Sequence, residues 1–137
     1  MPEQNDTNPF FGELIYSYTR AQAVADGVLV DVSDTAREAG FRIPVALTRS
    51  AFEDCVAWSE SDSHNQIYQD ESGRLWDMLW MASLAARKGN GTRMGYTLHR
   101  VSRDGRNLRP KATRLDLVIG PGDDGEPVIT IMFPGED

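Results

Sequence analysis

The chain has 137 residues, is 40% hydrophobic and 26% charged, carries a formal net charge of −7, and holds three Trp, four Tyr, five Phe and a single Cys. That length suits one domain with one hydrophobic core, and the aromatic content argues against disorder. No apolar run reaches the ~18 residues of a membrane span, the opening MPEQNDTNPF lacks the basic and apolar regions of a secretory signal, and the lone Cys55 excludes an intrachain disulfide, so a cytoplasmic protein without membrane contact is expected.

Residues 1–12 read as a flexible N-terminal tail, and 13–137 as a single α+β domain. ELIYSY (13–18) reads as a first strand. In TRAQAVADG, Thr19 and Gln22 have capping-box spacing and Gly27 suits the position after the last turn, which predicts a short helix. VLVDV (28–32) is β-branched and predicts a second strand. SDTAREAG predicts another short helix, with Thr35 and Glu38 as its box and Gly40 as its stop. LTRSAFEDCVAW predicts a third, with Ser50 and Glu53 at the same spacing. The polar stretch SESDSHNQIYQDESG (59–73) reads as a surface loop with Ile67 and Tyr68 tucked back.

RLWDMLWMASLAARKG predicts the longest helix. Leu75, Met78, Leu79, Ala82 and Ala86 recur at helical spacing, and Trp76 and Trp80 add a second apolar face. Such a helix is expected at the centre of the packing, in a core shared by Trp76, Trp80, Leu117 and Ile131. Arg87 and Lys88 complement the dipole in its last turn. MGYTLHRVS is a strand, RDG a turn, and TRLDLVIG and PVITIMF a hairpin around PGDDGE, with Leu115, Leu117 and Ile119 on one face. The order is a short N-terminal β-α-β-α-α segment, one long central helix and a C-terminal antiparallel sheet, which is an α+β pattern.

The charge is polarised along the chain. Residues 87–114 hold nine basic side chains against the single acid Asp104, a local balance of +8, which leaves −15 for the rest. An acidic average field does not draw nucleic acid, but Arg100, Arg103, Arg106, Arg109, Lys111 and Arg114 could form a basic patch for phosphate or an acidic protein surface. Spacing by three alternates faces in a strand, so these cations converge only across a turn at Asp104-Gly105. The alternative is pairing with the chain's own carboxylates. A protein partner is favoured, with nucleic acid as a second option through 87–114.

A second candidate is a ligand pocket at Tyr16, Thr19 and Arg20, where a helix N-terminus follows a strand and could face a phosphate. Its structural counterpart is Thr19 acting only as an N-cap. His64, His99 and Cys55 have no metal-ligand spacing. GPGDDG lacks the Gly-Lys-Ser/Thr of a phosphate loop, so Asp123 and Asp124 read as turn residues. No metal, cofactor or catalytic residue is expected.

The tract TRAQAVADGVLVDVSDTAREAGF, with the tyrosines before it, loosely resembles the opening of the ADP-ribosyl-transferase-like superfamily. That resemblance implies NAD or nucleotide binding through Tyr16, Thr19 and Arg20. IYSYTRAQAVADGVLVDVS, GFRIPVALTRSAFEDCV, GRLWDMLWMA and GPGDDGEPVITIMFPGED together resemble a family of small uncharacterised bacterial proteins. That family, a domain of unknown function, is associated with plasmids, integrative elements and phage-like islands. The second resemblance implies a non-enzymatic accessory protein that binds a macromolecule, of the kind that counters restriction or CRISPR systems.

Overall fold

The computed structural model describes residues 18–137. Its elements in chain order are α1 (Arg20–Ala25), β1 (Leu29–Asp31), α2 (Ser33–Glu38), β2 (Val45–Thr48), α3 (Arg49–Cys55), α4 (Glu60–Asn65), α5 (Glu71–Lys88), β3 (Arg93–Arg100), β4 (Lys111–Pro121) and β5 (Pro127–Met132). The α+β class holds. The strand expected at 13–18 falls, apart from Tyr18, outside the described residues.

The strands form one sheet in the order β1-β2-β5-β4-β3. Its C-terminal strands β5, β4 and β3 are antiparallel as expected, and the sheet as a whole is mixed because β2 joins it in parallel with β5 (Val45↔Ile129, Leu47↔Ile131). The pattern did not reveal β2. Val45, Ala46 and Leu47 are all buried, so the strand has no polar alternation, and its four residues lead straight into α3. A strand buried on both faces reads as a plain apolar run.

Register explains the core. Leu47, Ile131, Leu117 and Met94 lie opposite one another across four strands. Because side chains alternate with period two, Val45, Ile129, Leu115, Tyr96 and Leu98 share that face. Ala36 and Ala39 from α2, Ala51 and Cys55 from α3, and Met78, Leu79 and Ala82 from α5 close over it. Small residues at the helix contacts let the helices sit near the sheet. At the end of α5 the approach is tightest: a Cβ on Gly89 would stand 2.4 Å from Met94 Cγ.

Three local expectations shift. The α2 cap is not Thr35: the helix begins at Ser33, after Val32, and its N-cap makes no side-chain hydrogen bond. For α3 the cap is Thr48, whose Oγ1 accepts from Ala51 N–H, while Ser50 donates instead to Glu136. The stretch 59–73 is not a loop throughout: Ser59 and Asp62 form a capping box that starts α4. Leu117 and Ile131 are fully buried as expected, but Trp76 and Trp80 are 37% and 40% exposed and face solvent. No helix among the described residues is long and apolar enough to cross a membrane.

Candidate partner-binding site

The basic stretch divides into cations that hold the fold and cations left outside it. Arg100 ends β3 and places Nε and Nη2 at 3.2 and 2.9 Å from the Asp54 carboxylate on α3. Its Nη1 donates to the Lys111 carbonyl. Arg103 donates to Asp62 at 2.8 Å and lies 3.7 Å from Glu53. It sits in an open cleft that also carries Asp54 and Asp104, so its charge is outweighed by carboxylates. Burial pushes the Asp62 carboxyl up, but hydrogen bonds from Ser59 and the Arg103 guanidinium hold it below the usual carboxylate range.

Arg106, Arg109 and Lys111 are exposed and make no ion pair among the described residues. Arg114 lies farther along β4 and donates to Thr97 Oγ1 at 3.2 Å. The six cations therefore do not form one stripe. The turn between β3 and β4 collects Arg106, Arg109 and Lys111, with Leu108 between them 58% exposed.

This turn is built as a rigid platform. Asp104 accepts from the backbone N–H groups of Arg106 and Asn107, both at 2.9 Å, and these bonds hold its carboxyl below the usual range. The Gln66 side chain donates to the carbonyls of Ser102 and Asn107, each at 2.7 Å, and accepts from Gly105 N–H. Beneath it lies Arg74, 5% exposed. Its guanidinium donates to Val56, Asp54 and Val101 carbonyls and to Gln69 Oε1, and stacks 4.5 Å over the Trp58 ring. Sequence reading missed both Gln66 and Arg74. An arginine in the first turn of a helix carries no signal that its fork will point into the fold.

Ile67 and Tyr68 directly follow Gln66, and they are exposed rather than tucked back, Tyr68 at 79%. A small cavity between α5 and the end of this turn is lined by Gln69, Arg74, Asp77 and Pro110, and Tyr68 borders Asp77 from the other side. The turn thus presents guanidinium groups, one leucine and a neighbouring tyrosine, the residue types that anchor protein interfaces.

At the other candidate site, Tyr16 lies outside the described residues. Thr19 Oγ1 accepts from Gln22 N–H, and Gln22 returns a bond to Thr19 N–H, which completes the predicted box. The first amides of α1 are already filled: Arg20 N–H and Ala21 N–H donate to the two oxygens of Asp123, at 2.7 and 3.1 Å. The Arg20 guanidinium reaches under the helix to Thr130 Oγ1 and the Ile129 carbonyl. An anion arriving here must displace Asp123, the turn residue of the β4–β5 hairpin.

Cys55 is buried, and burial foremost pushes its thiol up to about 12. That shift disfavours the thiolate that a cysteine nucleophile needs. No group of three His, Cys, Asp or Glu among the described residues could hold a metal ion.

One protein-family model matches the chain, over residues 7–137, and it is described as a family of unknown function, DUF6573. No curated protein matches, and no solved structure does.

Proposed function

The chain belongs to that family of unknown function, and from this premise and the molecule's own surface we propose that it is a non-enzymatic binder of a protein partner. The observation that carries the reading is the turn at 101–110. It is fixed by Gln66, Asp104 and Arg74, while among the described residues Arg106 and Arg109 form no ion pair with a carboxylate. A rigid loop loses little conformational entropy on binding, and exposed arginines next to leucine and tyrosine supply both charge and apolar contact. Arg106 and Arg109 are the anchors; Arg100 and Arg103 hold the loop in place. An acidic partner surface is the complement.

The resemblance to accessory proteins of plasmids and phage-like islands narrows the partner class to host-defence proteins of restriction or CRISPR type, met in the cytoplasm. The test is inhibition of a panel of such purified nucleases by the wild-type chain and by R106E/R109E. The wild type should inhibit at least one of them, and the double substitution should weaken it by at least about tenfold with an unchanged melting temperature. Equal potency of the two proteins removes the loop from the mechanism. A thermal-shift series in parallel separates the other classes. A salt-insensitive shift with NAD would move the reading to Thr19 and Arg20. A salt-sensitive shift with short DNA or RNA would make the partner a nucleic acid.

A further inference from the structure

Helix α5 leaves an apolar stripe uncovered. Trp76, Trp80 and Met81 are 37%, 40% and 38% exposed, and Leu84 beside them is half-buried. Trp76 and Trp80 stack with an interplanar angle of 15°, so the two rings form one preorganised wall. Aromatic and methionine side chains in one exposed patch mark an interaction surface. Met78, Leu79 and Ala82 occupy the opposite face, in the core.

The outward positions have the spacing of a helix–helix seam. Gly73, Asp77, Trp80, Leu84 and Arg87 alternate intervals of four and three along α5, as the seam of a two-stranded coiled coil does. The seam carries one charge of each sign, on either side of its apolar centre. Asp77 and Arg87 are exposed, and among the described residues neither forms an ion pair. Arg87 instead lies against the Trp80 ring.

We propose that this face of α5 is the interface of a homodimer, with α5 of a second copy packed antiparallel across a two-fold axis at the level of Ala82. The seam is self-complementary about that point. Trp80 meets Leu84 of the second copy, and Leu84 meets its Trp80. One layer farther out at each end, Asp77 meets Arg87 and Arg87 meets Asp77. A two-fold interface requires this reciprocity. A parallel pairing sets Asp77 against Asp77 and Arg87 against Arg87, and like charges there select against it. The antiparallel arrangement also opposes the two helix dipoles. A foreign helix would have to reproduce this charge pattern, whereas a second copy supplies it. The helices overlap from Trp76 to Lys88, about 20 Å at the helical rise. A contact one helix wide belongs at the small end of specific interfaces, so the dimer should form reversibly with concentration. The face uses no residue of the 101–110 turn, and the proposal goes beyond the reading based on that turn.

The test is sedimentation equilibrium of the full chain over a range of concentrations. The wild type should show a monomer–dimer equilibrium. Trp80→Ala should raise the dimer dissociation constant at least about tenfold. Asp77→Arg and Arg87→Asp should each do the same, since each places like charges in both outer layers. D77R/R87D exchanges the two charges and should restore the dimer, a rescue that a general loss of stability does not give. R106E/R109E should dimerise like the wild type, which separates this face from the turn. Melting temperatures identify any variant that fails to fold, and the charge exchange stands independently of Trp80→Ala. The proposal is overturned if the wild type stays monomeric, which leaves the face to a different partner. It is overturned equally if well-folded Trp80→Ala or either single charge reversal dimerises unchanged, if the double exchange stays as weak as the single ones, or if R106E/R109E abolishes the dimer.

Discussion

The Arg74 guanidinium gives hydrogen bonds to three backbone carbonyls and one side-chain amide from three separate segments. Burial lowers its pKa, and among the described residues it forms no ion pair with a carboxylate. It works through its planar fork, which a lysine cannot reproduce. Arg74→Met keeps most of the apolar stem but leaves those acceptors unpaired. It should cost about 3 kcal/mol of stability, read as a lower urea midpoint at constant slope, and Arg74→Lys should recover only part of the loss. Nothing around Arg74 in the chain announces this. The acceptors at Asp54, Val56, Gln69 and Val101 are backbone or amide oxygens, and they are gathered by folding. Thr19 is the opposite case. Its box with Gln22 was legible because both partners sit within one turn. The boxes expected at Thr35 and Ser50 were not formed, because Ser33 ties to Asp31 and Val45 and Ser50 to Glu136, which shifts the helix starts.

At the scale of the element, α5 carries two apolar faces, and only one is used in the core. Met78, Leu79 and Ala82 are fully buried. Trp76 and Trp80 stack on each other with ring centroids 6.0 Å apart, and Arg87 lies 5.7 Å from the Trp80 ring. Periodicity shows that a residue faces an apolar stripe but not which stripe the sheet will cover. Substitution should separate the two faces. Leu117→Ala should cost roughly 2–5 kcal/mol in chemical denaturation, as a large-to-small change in a closed core does. Trp80→Ala should cost less than about 1 kcal/mol, because the ring is already half in water. If the tryptophan proves as costly as the leucine, the exposed face is a structural one and not available to a partner.

Across the whole molecule, the polarised charge of the chain is partly folded back on itself. The basic 87–114 region meets the acidic remainder through Arg93 with Asp116 and Asp137, Arg100 with Asp54, and Arg103 with Asp62 and Glu53. Asp62, Asp104 and Glu136 are held below the ordinary carboxylate range by the bonds they accept. A carboxyl with a depressed folded-state pKa contributes stability that is complete above its unfolded value and is lost as pH falls through its folded value. Melting temperature should therefore drop as pH falls below about 4, the usual carboxylate range. Asp104→Asn should lose part of that dependence, with the change in the amide signals of Arg106 and Asn107.

The sequence by itself determined what is local. The α+β class, the helix start at the Thr19–Gln22 box, the long helix, the C-terminal hairpin and the buried Cys55 all follow from periodicity and capping, which act over a few residues. The tertiary structure decided what depends on distant partners. It placed the hidden strand β2 in parallel beside β5, turned Trp76 and Trp80 to solvent, and filled the α1 amides with Asp123. It also chose which arginines are spent on the chain's own carboxylates. These outcomes rest on contacts between segments tens of residues apart, where burial and charge pairing are settled only when the elements meet.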